Sequence, residues 1–329
     1  MSSAPLTSFA EENVGKYRHE LPQLGGDLFL TDAGIETYLM FQLGLELPHL
    51  AAFALLHDRA GRQELHDYFG HYLTIAADSG LGLLLESPTW RASPDWGERL
   101  GYTPARLAAA NRDAIGMMRA LRDAHETPER PMPVSGCVGP RHDAYDPERF
   151  MSVDEALHYH APQIGTFAGT DADLVTAITM TYAEEAIGIA DAAAAAGMPV
   201  VVSFTVQTDG RLPSGQPLGD AIAAVDEASA AAPAYFMINC AHPSHFRHLF
   251  ADGPAWAERL RGVRANASKR SHAELNAAEE LDDGDPVELG RDYADLRRML
   301  PQLAVLGGCC GTDHRHVGEI AKACRAAAV

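Results

Sequence analysis

An α/β chain closed as a single (β/α)8 TIM barrel is the architecture that three features of the sequence predict. Short, nearly continuous apolar runs, as expected of parallel strands covered on both faces, alternate along the chain with helix-period segments. Eight such runs can be drawn, at 28–31, 81–86, 132–138, 174–180, 200–206, 235–240, 262–266 and 304–307. The competing open, doubly wound sheet lacks its Gly-x-Gly-x-x-Gly turn, since the first run leads only into Asp32-Ala33-Gly34. Neither an internal repeat nor a long linker divides residues 1–329, so they read as one barrel domain, with 1–26 as an N-terminal lead-in.

The helices between the runs carry their own start and stop signals. Thr103 before Pro104 is a cap followed by proline at the first helical position. Ser152 and Glu155 have capping-box spacing. Gly80 and Gly197 end helices that lead into the second and fifth runs. Near the C-terminus Val317, Ile320, Ala321 and Cys324 fall on one helical face, so Cys324 reads as core.

Charge excludes two classes of partner. A formal net charge of −19 opposes nucleic acid and anionic membrane surfaces, and no basic stripe reverses it locally. Residues 1–20 have no apolar stretch able to serve as a signal-peptide core, and the most apolar region, 190–204, is interrupted by Asp191, Gly197 and Pro199. The expected location is the cytoplasm. Five cysteines, an odd number with Cys309 and Cys310 adjacent, point in a reducing compartment to metal binding or reactivity rather than to a disulfide scaffold.

In a barrel, chemistry sits where strands end. Asn239-Cys240 ends the sixth run and Gly307-Gly308-Cys309-Cys310-Gly311 the eighth. Regular strand geometry would send Cys309 and Cys310 to opposite faces, but the flanking glycines let the backbone leave it, so three sulfurs can converge. Three thiolates suit Zn2+, and a count of three leaves the fourth tetrahedral position open, as in catalytic sites. Cys240, Cys309 and Cys310 are therefore the candidate metal ligands. Cys137, at the end of the third run, reads as pocket lining. Trp90, at the end of the second, can hold a cationic ligand by cation–π attraction, with Tyr182 a second candidate.

These residues carry a resemblance. From about residue 28 to about 323 the chain resembles the homocysteine S-methyltransferase family, chiefly in Ile238-Asn239-Cys240 and Gly307-Gly308-Cys309-Cys310-Gly311-Thr312. Thr31-Asp32-Ala33-Gly34 is similar to the family's Asp-Gly-Gly, and Gly136-Cys137-Val138-Gly139-Pro140 to its Gly-Ser-Val-Gly-Pro. Ser203-Phe204 and Asn266 match further strand ends. The resemblance implies a zinc-bearing barrel that moves a methyl group onto a thiol, with Asp32 binding the amino group of an amino-acid thiol, Gly34 in the substrate site and Asn266 lining the pocket near the zinc. It departs at the fourth strand, where the family's Phe-Glu-Thr-Ile-Pro is Ala177-Ile178-Thr179-Met180-Thr181, so Ile178 replaces the glutamate that helps hold homocysteine's ammonium.

The expected partners are a small-molecule thiol acceptor, homocysteine first, and a sulfonium or ammonium methyl donor. The chain's length resembles the branch that uses S-methylmethionine or S-adenosylmethionine. Ile178 keeps a second reading open, the same chemistry on another thiol, unless Asp32, Glu184 or Glu185 replaces the missing carboxylate. Glu184 and Glu185 are otherwise solvated residues of a first helical turn. A third reading is a zinc-binding or redox-sensing barrel without catalysis. The oligomeric state is not set by the sequence.

Overall fold

The computed structural model describes residues 14–144 and 149–326. Every paired strand runs parallel to its neighbours: β1 Phe29–Leu30, β2 Gly82–Leu83, β3 Leu85–Glu86, β4 Val134–Val138, β5 Leu174–Met180, β6 Val200–Phe204, β7 Pro233–Asn239, β8 Leu260–Ala265 and β9 Val305–Gly308. Their order, β2-β1-β9-β8-β7-β6-β5-β4-β3, begins and ends on two halves of one chain segment, separated only by Leu84. One half pairs with β1 and the other with β4, so the sheet closes on itself through the second of the eight expected strands. The result is a (β/α)8 barrel.

The helices that follow the strands are α1 Arg59–Ser79, α2 Pro104–His125, α3 Val153–Ala168, α4 Ala183–Ala195, α5 Leu218–Ala228, α6 Pro243–Phe246, α7 Pro286–Met299 and α8 His314–Ala326. The Thr103 side chain caps α2, both bonds of the Ser152/Glu155 capping box form on α3, and α1 ends on Gly80 at φ 66°. α8 buries Val317, Ile320, Ala321 and Cys324, the face its periodicity marked. Only α6 is stunted, four residues followed by 3-10 turns. Among the described residues no helix is long and apolar enough to cross a membrane.

Alternation along the strands divides the barrel interior into layers. The lower layer is apolar: Phe29, Leu84, Leu174, Val201, Tyr235, Met237 and Val305 pack together with Leu21. Two residues further along each strand the inward positions turn polar, giving Glu86, Thr176, Ser203, Asn239 and Arg264. These satisfy one another, as buried polar groups must: Ser135 and Thr176 hydroxyls lie 2.7 Å apart, and Arg264 reaches Glu86. The polar layer is the floor on which the site stands.

The lead-in expected over 1–26 lies outside the described residues as far as residue 13. From there it crosses the bottom of the barrel. Arg18 donates to the carbonyls of Ala168, Thr170 and Ala172, and Leu21 and Gln23 are buried beneath the interior layer.

Candidate metal centre and its cavity

Three sulfurs converge at the C-terminal rim. Cys240 Sγ lies 2.9 Å from Cys309 Sγ and 3.4 Å from Cys310 Sγ, and all three fall within 4.8 Å of one another. Local backbone makes this possible. Cys240 leaves β7 with φ 56°, a left-handed conformation rare for a residue with a side chain, and its N–H still donates to Arg264 O. After β9 the chain turns at Cys309, whose carbonyl accepts from Thr312 N and Thr312 Oγ1, and Gly311 takes φ 77°. Gly34 sits so near that a Cβ there would collide with the carbonyl of Cys309, so glycine lets the loop after β1 approach the thiol loop.

Two asparagines brace the cluster. Asn239 Oδ1 accepts from Thr179 N at 2.9 Å and Ser203 Oγ at 2.7 Å, while its Nδ2 donates to Thr179 Oγ1 and lies 3.9 Å from Cys309 Sγ. Thr179 too has a positive φ, 67°, at a register shift between β5 and β6, so the asparagine holds a bulge as well as a thiol. Asn266 Nδ2 donates to Cys240 O at 3.1 Å, and its buried Oδ1 has no protein partner, which leaves an acceptor beside the sulfurs. Hydrogen bonds from Cys240 and Cys310 hold the Cys309 thiol well below its usual range, with Arg264 adding to them. Burial pushes the Cys240 thiol up from its usual range.

A cavity of about 440 Å³ opens above the cluster. It brings together most of the residues singled out from the sequence: Asp32, Gly34, Trp90, Cys137, Ile178, Asn266 and the three cysteines all line it. Their surroundings differ from the expectation in several ways. Asp32 is not a free carboxylate, because its Oδ1 accepts from Arg264 Nη2 at 2.6 Å and its Oδ2 from Tyr68 OH at 3.0 Å. Trp90 donates from Nε1 to Ile178 O, and the Arg91 guanidinium lies 3.9 Å from its ring centre and equally far from that of Trp96, so a protein cation already uses its π-face. Tyr182 lies outside the cavity lining, where its hydroxyl accepts from Met151 N.

Glu184 is exposed, as a first-turn residue should be, but Glu185 is not. Glu185 is buried and accepts from Arg141 N at 2.8 Å, with His160 Nε2 at 3.0 Å, so it braces α3 against α4. Neither glutamate lines the cavity to replace the carboxylate missing at Ile178.

The sequence reading missed the cavity's charged core. Arg264, on β8, is buried between Asp32 and Glu86, and also donates to Gly308 O at 3.0 Å. Burial pushes both carboxyls up from their ordinary range while the guanidinium opposes it. A fourth cavity residue, Glu36, follows Gly34 in a short helical turn, and there burial pushes the carboxyl up to about 7. A charged residue inside an otherwise apolar run, Arg264, was the available signal; Glu36 had none.

The sequence matches the family described as homocysteine S-methyltransferase over residues 29–324. The chain belongs to the homocysteine S-methyltransferase family. It is a methyltransferase, so the reading as a non-catalytic metal or redox barrel falls. Homocysteine S-methyltransferase membership also implies small-molecule substrates, a thiol and a methyl donor. In structure the barrel is similar to the homocysteine methyltransferase MmuM from Escherichia coli. Its metallated form gives a TM-score of 0.70 at 18% identity, covering 92% of this chain and 98% of that one. The oxidized form gives 0.69 at 19% identity, over 91% and 97%. The apo form gives 0.62 at 19%, over 93% and 98%. At such identities the likeness establishes the shared fold. No curated protein matches the chain by sequence.

Proposed function

We propose that Cys240, Cys309 and Cys310 bind zinc, and that the enzyme moves a methyl group from a sulfonium or ammonium donor to a thiol in the cavity above them. S-methylmethionine or S-adenosylmethionine is the favoured donor and homocysteine the first acceptor. The observation that carries this reading is the convergence of three sulfurs from two strand ends on the floor of a ligand-sized cavity. The donor set fits the ion: three cysteine sulfurs make up a zinc shell with one place left for an exogenous sulfur. Bound zinc supplies the Lewis acidity that keeps a thiol deprotonated at neutral pH, where a free thiol is only a few per cent thiolate.

The chain's own residues supply the rest. Asn239 and Asn266 fix the thiol loops, and Arg264 keeps two carboxylates neutralised directly beneath. Ile178 and Trp90 give the cavity an apolar wall that excludes water from the attacking sulfur. Displacement at a methyl group needs no proton transfer, so no general base is required. In this reading Asp32 and Gly34 shape the amino-acid end of the substrate site, Asp32 through its pairing with Arg264.

Ile178 and the engagement of Asp32 favour a second reading, the same chemistry on a thiol other than homocysteine. A panel of thiols crossed with S-methylmethionine, S-adenosylmethionine and betaine separates the two. Turnover of homocysteine above every other thiol is expected under the first reading, and absence of methylation in every pair would refute both.

Oxidation offers an independent check. Because Cys240 lies 2.9 Å from Cys309 and 3.4 Å from Cys310, metal-stripped protein exposed to peroxide should cross-link Cys240 to one of its neighbours rather than join Cys309 to Cys310. Peptide mapping reads the linkage, and zinc rebinding should need reductant. Full zinc uptake by verified oxidised protein would contradict the ligand set.

A further inference from the structure

We propose that Glu36 is the specificity residue for the acceptor: its carboxylate binds a positive group of the substrate, the ammonium of an aminothiol whose sulfur lies at the cysteine cluster. The inference rests on the thiol-methylation reading above and names the substrate class for it.

Six acidic groups among the described residues line the cavity. Asp32 and Glu86 share the Arg264 guanidinium, and Asp32 also accepts from Tyr68. Asp282 accepts from Ser268 Oγ at 2.7 Å and faces Arg270 at 3.5 Å. Asp143 and Glu280 are exposed on the rim, where an ion pair is worth little. Glu36 remains. It lines the cavity half-buried, and among the described residues its carboxylate has no ion-pair partner and no hydrogen bond beyond its own backbone.

Its field acts on Cys309, Cys310 and Cys137 together, which places the charge over the cavity and not on the outer surface. The same lining offers the apolar side chain of Ile178 in place of a second carboxylate. A carboxylate withdrawn from water without a counter-ion is costly, and a ligand cation removes that cost. A thiol with an ammonium a few bonds from its sulfur meets both demands at once: sulfur at the cluster, nitrogen at the β1 side of the rim. An anionic thiol of the same length meets only the first.

The test uses protein loaded with Co2+, whose visible spectrum reports sulfur coordination without turnover. Homocysteine and 4-mercaptobutyrate, the same thiol acid without the amine, are titrated into wild type, Glu36→Gln and Glu36→Asp, with metal content and circular dichroism checked for each. Wild type should bind homocysteine at least about tenfold more tightly, the worth of one charge-assisted hydrogen bond. Glu36→Gln should erase the preference by weakening homocysteine alone, and Glu36→Asp should keep part of it. Equal binding of both thiols to wild type overturns the inference, as does a preference that survives in Glu36→Gln; either result leaves the methyl-transfer reading standing. If neither thiol perturbs the wild-type spectrum, that reading falls and takes this inference with it.

Discussion

Alanine at Cys240, Cys309 or Cys310 is expected to take bound zinc from about one per chain to near zero and to remove methyl transfer with it. The loss in activity should exceed about a hundredfold, since disturbing even the outer partners of a metal ligand costs tenfold to a hundredfold. The sulfurs are mutually in reach and come from two separate loops, so removing any one leaves two ligands and an opened shell. Cys324→Ala is the matched control. That thiol is fully buried on α8, remote from the cavity lining, and its loss should lower stability while zinc content and turnover stay intact. Metal analysis and a methylation assay on the four variants decide the matter; full zinc retention in any of the first three would exclude that cysteine as a ligand.

Arg264→Met should be the most destabilising single change in the cavity. Arg264 is the shared partner of two buried carboxylates, and removing one member of such a group strands the others, at a cost of about 3–5 kcal/mol. The melting temperature should fall by roughly ten degrees. The effect has a definite pH dependence. Without the guanidinium, only hydrogen bonds oppose burial at Asp32 and Glu86, and their folded-state pKa values rise further above those of the unfolded chain. The folded variant then holds more protons than the unfolded one, so its stability falls as pH rises from about 4 toward neutrality. Adding Asp32→Asn and Glu86→Gln to Arg264→Met should recover much of the loss, because no charge is then left unpaired. Thermal melts at pH 5 and pH 8 measure both effects, and an Arg264→Met protein that melts within about a degree of wild type would show that the triad contributes nothing.

The barrel was legible because its signals are local and repeated. Runs such as 174–180 and 200–206 became strands nearly end to end, and the caps at Thr103 and Ser152 formed as their side chains dictate. The thiol cluster was legible for a related reason: strand ends at one rim of a barrel are neighbours whatever their separation in sequence, so Cys240 and Cys309 could be placed together without coordinates. Pairings that depend on which way a side chain leans were not legible. Asp32 looked available because Arg264 is more than two hundred positions away, and only the register of β8 against β9, Arg264 opposite Gly307, brings the guanidinium over the first strand. Glu185 looked solvated because first-turn acids usually are, yet α3 and Arg141 cover it.

The seam between β1 and β9 closes the barrel: Phe29 pairs with Val305, and Gly308 N–H donates to Asp32 O. The same seam sets Gly34 against the carbonyl of Cys309. The site is therefore built from the first and the last strand of the barrel, and during synthesis its parts emerge far apart in time. A ribosome-bound chain that has already exposed Cys240 still lacks Cys309, Cys310 and the strand that carries them, so the three-sulfur set is incomplete and the cavity above it has not formed. On the proposed reading, a metal held by all three sulfurs can be loaded only after the segment carrying β9 has been made, so translation order sets the earliest moment at which the site can exist.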